Sequence, residues 1–111
     1  MENSNELLEF LYSQLEAIQS KILEYELIKS FINELKKQED TYINLGGLIF
    51  VRGSIKDDQN LLINIGRNIF IEKSKDEVLK LIDDIINKLN QDLNEIRTKI
   101  NQISMKKTPQ P

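Results

Sequence analysis

Along the first third of the chain, apolar residues recur at alternating steps of three and four: Leu8, Leu11, Leu15, Ile18, Ile22 and Tyr25. That spacing is the seam of a long helix lying against a partner helix. It predicts a helix over about 4–38, with Glu6 and Glu9 near its positive end and Lys36 and Lys37 near its negative end. After Tyr25 the next apolar positions are Ile28, Ile32 and Leu35, one residue early for a heptad, which predicts local overwinding.

Between about 41 and 73 the period changes to two. Ile49, Val51 and Ile55 alternate with Phe50, Arg52, Ser54 and Lys56; Leu61, Ile63 and Ile65 alternate with Leu62 and Asn64; Ile69 and Ile71 continue the pattern. Alternation of this kind marks strands with one buried face. Turn-forming clusters at Gly46-Gly47, Asp57-Asp58-Gln59-Asn60 and Gly66-Arg67-Asn68 divide the block into four short strands.

A second heptad row, Val78, Ile82, Ile85, Leu89, Leu93, Ile96, Ile100 and Ile103, predicts a helix over about 75–105. Ser74-Lys75-Asp76-Glu77 opens it as a capping box, and the step from Leu89 to Leu93 is one residue long for the heptad. Asp76 and Lys80, Asp84 and Lys88, and Glu95 and Lys99 sit four apart on the outer face. A tail over 106–111, with Pro109 and Pro111, is expected to be disordered. The expected fold class is α+β, mainly α: one domain over 1–111, an antiparallel two-helix coiled coil joined by two central β-hairpins.

Composition narrows the chemistry. The chain has no cysteine and no histidine, which removes disulfides, thiolate metal sites and the commonest general base. An enzyme, a metal site and a bound cofactor are therefore not expected. Residues 1–40 carry nine acids against four lysines and the net charge is −3, which would repel a phosphate backbone, so nucleic acid is not an expected partner. No apolar run reaches membrane-spanning length and the first five residues are polar, so no membrane association and a cytoplasmic location are expected. The pairs Asp57-Asp58 and Asp83-Asp84 read as turn and outer-face residues rather than acid–base or metal groups. Gly46-Gly47 lacks the lysine and following helix of a phosphate loop.

The run Asn44-Leu45-Gly46-Gly47-Leu48-Ile49-Phe50-Val51-Arg52-Gly53, followed by Ile65-Gly66 and by Glu72-Lys73-Ser74, resembles the central motif of prefoldin subunits of the alpha class. Asn44 stands where that family often has proline, and Leu48 where it often has a second glycine. The resemblance implies an ATP-independent holdase in which six subunits join their hairpins into a double β-barrel platform; in archaea, two alpha subunits would join four beta-class subunits. The helix ends would grip non-native client proteins and pass them to a group II chaperonin. On this view Leu45, Gly46, Ile49, Phe50, Val51, Ile63, Ile65, Gly66, Ile69 and Ile71 belong to the subunit interface.

The residues themselves support part of this. Hairpins rich in Ile, Val and Phe have exposed edges that must be paired or covered. At the distal end, Leu7, Phe10, Leu11, Ile103 and Met105 are the candidate client contacts. Leu7, Phe10 and Met105 exceed what a two-helix seam can bury, whereas Leu8, Leu11, Ile100 and Ile103 also fit plain core. The rival expectation is a structural coiled-coil subunit that self-assembles into rings or filaments and holds no client.

Overall fold

The computed structural model describes residues 2–107, with side chains over 4–105. Two helices enclose two antiparallel hairpins, in the order α1 (Glu2–Glu34), β1 (Gln38–Gly46), β2 (Ile49–Ile55), β3 (Asn60–Asn64), β4 (Phe70–Ser74) and α2 (Lys75–Lys107). This mainly helical arrangement is the expected fold class.

Two boundaries differ from expectation for a visible reason. The first helix stops at Glu34 rather than near 38, and β1 begins at Gln38 rather than near 41. Leu35 N–H bonds back to Ile32 O at 3.1 Å, a tight closing turn. The Leu35 carbonyl then accepts from Lys75 Nζ (3.3 Å), and Lys37 N–H donates to Asp58 Oδ2 (3.2 Å). Backbone groups that a longer helix would have used are bonded to other segments. At the other end, α2 continues to Lys107, two residues past its expected end; the remainder of the expected tail, 108–111, lies outside the described residues.

The chain divides into two compact units, 1–28 with 82–111, and 29–81. In the first, α1 and α2 run antiparallel. Leu11, Ile96 and Ile100 form the core, with Leu8, Leu15, Ile18 and Ile103 packed against it. The seam of α2 runs through Ile86, which is 7% exposed, while Ile85 is half-buried beside it. With Ile86 included, Ile82, Ile86, Leu89, Leu93, Ile96, Ile100 and Ile103 keep a regular step of four and three. The local change of winding implied by a long step from Leu89 to Leu93 is not needed.

The second unit holds the hairpins, two separate two-stranded sheets. In the first, Tyr42 faces Arg52, Ile43 faces Val51 and Asn44 faces Phe50; in the second, Leu62 faces Glu72, Ile63 faces Ile71 and Asn64 faces Phe70. Gly46 and Gly47 take the positive φ angles of the first turn (119° and 59°), so Leu48 is spared that conformation. The second turn is made by Gly66, Arg67 and Asn68, at φ 115°, 52° and 60°. Ser74 caps α2: its Oγ accepts from Glu77 N–H (3.1 Å) and donates to Glu77 Oε1 (3.0 Å).

Candidate functional site

At the distal end of the helix pair the seam is closed and its surroundings are not. Leu11 is 5% exposed, in the core with Ile96 and Ile100, and Ile103 is half-buried against that core. Leu7, Phe10 and Met105 are 45%, 57% and 74% exposed. The five candidate client contacts therefore separate. Leu11 is core and cannot meet a client while the helices stay paired, because its heptad position points at the partner helix. Leu7, Phe10 and Met105 remain as an apolar margin around the seam, joined by exposed Tyr12.

The hairpin candidates separate by strand alternation. Ile43, Val51 and Ile55 share one face of the first hairpin, with Ile49 near the turn; Phe50 lies on the other face with Tyr42 and Arg52. Arg52 grips Asp40 there through two bonds, Nε to Oδ1 at 2.8 Å and Nη2 to Oδ2 at 2.6 Å. That guanidinium holds the Asp40 carboxyl below the usual carboxylate range. In the second hairpin, Ile63 and Ile71 are half-buried cross-strand partners, and Ile65 and Ile69 are exposed near the turn. Leu62 and Phe70 occupy the opposite face and are also exposed. No single surface holds all ten interface candidates, since Phe50 points away from Ile49 and Val51. Gly46 and Gly66 contribute backbone shape: a Cβ built at either meets nothing within 4 Å, so the demand for glycine is conformational.

Three connections meet at the base of the hairpins. Asp57 Oδ1 accepts from Gln59 N–H (2.8 Å) and Asn60 N–H (3.1 Å), and its Oδ2 accepts from Asn60 Nδ2 (3.0 Å). Asp58 accepts from Gln59 Nε2 (3.2 Å) as well as from Lys37 N–H. The Gln59 amide beside Asp58, and the Gln59 N–H above all at Asp57, keep both carboxyls below their ordinary range. Gln59 O in turn accepts from Lys75 N–H at 2.7 Å.

Several exposed apolar side chains were not among the candidate site residues: Leu23, Leu27 and Phe31 on α1, and Tyr42, Leu48, Leu62 and Phe70 on the hairpins. The signal for the hairpin residues was present, because both phases of each alternating run carry apolar groups. On α2, Lys88 pairs with Asp92 (2.9 Å) rather than Asp84; Asp92 is the less exposed carboxylate and lies within reach of the seam. Among the described residues, no helix is long and apolar enough to cross a membrane.

Comparison with known proteins gives this geometry a context. The family model described as Prefoldin subunit matches residues 4–108. Prefoldin subunit alpha of Archaeoglobus fulgidus is 21% identical over 106 residues, covering 86% of this chain and 77% of that one. Prefoldin subunit alpha of Thermofilum pendens is 30% identical over 79 residues, 65% of this chain and 61% of the relative. Prefoldin subunit alpha 1 of Methanocaldococcus jannaschii is 35% identical over 80 residues, 66% of this chain and 56% of the relative. A cryo-EM structure of filamentous prefoldin from Methanocaldococcus jannaschii superposes with a TM-score of 0.80 at 18% identity, covering 95% of this chain and 89% of that one.

Proposed function

Because the chain belongs to the prefoldin family, as an alpha-class subunit, we propose that it acts as an ATP-independent holdase whose helix ends capture non-native proteins in the cytoplasm and deliver them to a group II chaperonin. The family is one of non-enzymatic chaperones. The observation that carries the proposal is the apolar margin of Leu7, Phe10 and Met105 around a seam already filled by Leu11, Ile96 and Ile100. Burying about 100 Å² of such surface contributes roughly 2.5 kcal/mol before ordering costs, so one helix pair holds a client weakly. Several pairs acting on the same client multiply that hold. The hairpins supply the joining surface, in a hexamer of two alpha and four beta-class subunits.

The test replaces Leu7, Phe10 and Met105 together with glutamine or serine. Exposed substitutions usually move stability by only about 0.5 kcal/mol each, so melting and assembly should hold while suppression of aggregation of a denatured enzyme falls sharply. Undiminished suppression at equal concentration would sink the proposal. Self-assembly into rings or filaments without a client is the rival function, and its specific support is that the structural relative is a filament. An intact assembly with no protection of the denatured enzyme, in the parent chain, would favour it.

A further inference from the structure

We propose that the point where residues 35–37, 57–59 and Lys75 meet is a lock that fixes how the second hairpin is held relative to the first, with Asp58 and Lys75 as its positioning residues. The two hairpins share no strand pairing, so no ladder of backbone bonds sets their mutual orientation. Side-chain bonds at their bases tie them instead. The Asp58 carboxylate reaches back across the β2–β3 connection to Lys37 N–H, immediately before β1. Lys75, the first residue of α2 and directly after β4, reaches the Leu35 carbonyl from a half-buried position. Its own N–H holds Gln59 O. Both long-range side-chain bonds join a charged group to a backbone partner, which makes them stronger than neutral ones.

The connection is also stiff enough to transmit the hold. Asp57 closes residues 59 and 60 into a turn through three bonds, so a restraint at Asp58 acts on the start of β3 rather than dissipating in a loose loop. A partner that meets both hairpins of one chain then finds them already oriented, and less freedom is lost on association. This last consequence rests on the proposed role of the hairpins in assembly; the lock itself does not.

Absence of cysteine allows clean labelling. Spin labels on Leu48→Cys, at a site 96% exposed on the first hairpin, and on Leu62→Cys, at a site 70% exposed on the second, report the distance between hairpins by pulsed electron resonance. Labelled chains are diluted into unlabelled protein so that only pairs within one chain are read. The parent should give a narrow distance distribution. Asp58→Ala and Lys75→Met should each widen it at least twofold with the strand signal in circular dichroism retained, and Asp58→Asn, which keeps an acceptor oxygen, should restore most of the narrowness. Unchanged widths in both Asp58→Ala and Lys75→Met overturn the lock. So does widening accompanied by loss of the strand signal, which would make these residues part of hairpin stability. Light scattering on the same variants separates the two levels: widened distances with about tenfold weaker association support the lock and its consequence, whereas widened distances with unchanged association support the lock and count against the hairpins as the joining surface.

Discussion

Arg67 and Gly66 show what a single backbone angle asks of a residue. Both lie in the β3–β4 turn at positive φ, yet one has a Cβ and the other does not. For an L-residue the left-handed region costs roughly 1–2 kcal/mol, and asparagine tolerates it because its short side chain can bond locally. Asn68 already exploits this, and Asn64 Oδ1 accepts from Gly66 N–H at 2.8 Å to hold the turn's entry. Gly66→Ala should therefore destabilise the second hairpin by about 1–2 kcal/mol, although a new Cβ meets no atom there. Arg67→Asn should stabilise it by about 0.5 kcal/mol. Urea denaturation followed by circular dichroism checks both signs; an indifferent Gly66→Ala would mean that the turn relaxes out of its left-handed angle. At this scale the sequence was legible where residue type and demand agree, as at Gly46-Gly47, and silent where they conflict. Nothing in the letters marks Arg67 as a left-handed residue.

At the scale of the element, adjacent isoleucines hid the true phase of α2. Ile82, Ile85 and Leu89 make a plausible seam, but they force a long step to Leu93; Ile86 removes it. Projecting the regular spacing backward from Ile103, Ile100, Ile96 and Leu93 picks out Leu89, Ile86 and Ile82, so the far end of the helix carried the deciding information; before Ile82 the buried residue is Val78, at 5% exposure, and not the next projected position, Leu79. The same projection on α1 reaches Lys29, which is half-buried while Ile28 is exposed; an aliphatic stem can line a seam that its ammonium escapes. The heptad is thus more regular than the apolar letters suggest. Ile86→Ala should cost about 2–4 kcal/mol through loss of buried methyl groups and the space left behind, and Ile85→Ala distinctly less. Equal losses in thermal melts would show that both isoleucines share the seam and that the helix is locally rewound. The strands and turns of the hairpins were legible from period and turn chemistry, whereas the early start of β1 and the end of α1 were not. The helix end is set by Lys75 and Asp58, distant in sequence, and no local preference foretells such partners.

For the whole molecule, the family was legible because the motif over 44–53 and its companions are specific, and it reached further than any heptad could. The candidate site was legible in part: the heptad spacing already let Leu11 and Ile103 fit the core and left Leu7, Phe10 and Met105 in excess, and the observed register puts Leu11 at 5% exposure while those three stay outside. The hairpins lead to the remaining prediction. A two-stranded hairpin is marginal in water by itself, and each of these carries unpaired strand edges together with apolar groups on both faces. Ile49, Val51, Ile65 and Ile69 on one set of faces, and Tyr42, Phe50, Leu62 and Phe70 on the other, are all exposed, and clustered exposed apolar groups of this kind mark interaction surfaces. The chain alone should therefore associate at micromolar concentration, and light scattering should report a mass above that of one chain. Phe50→Ala discriminates between the faces. If the Phe50 face is closed by association, truncation should weaken the assembly by about 3–5 kcal/mol while helix content persists; if only the Ile49 and Val51 face is closed, the assembly mass should not change. A stable monomer with its full strand signal would show that these hairpins stand without partners, and the joining role assigned to them would have to be given up.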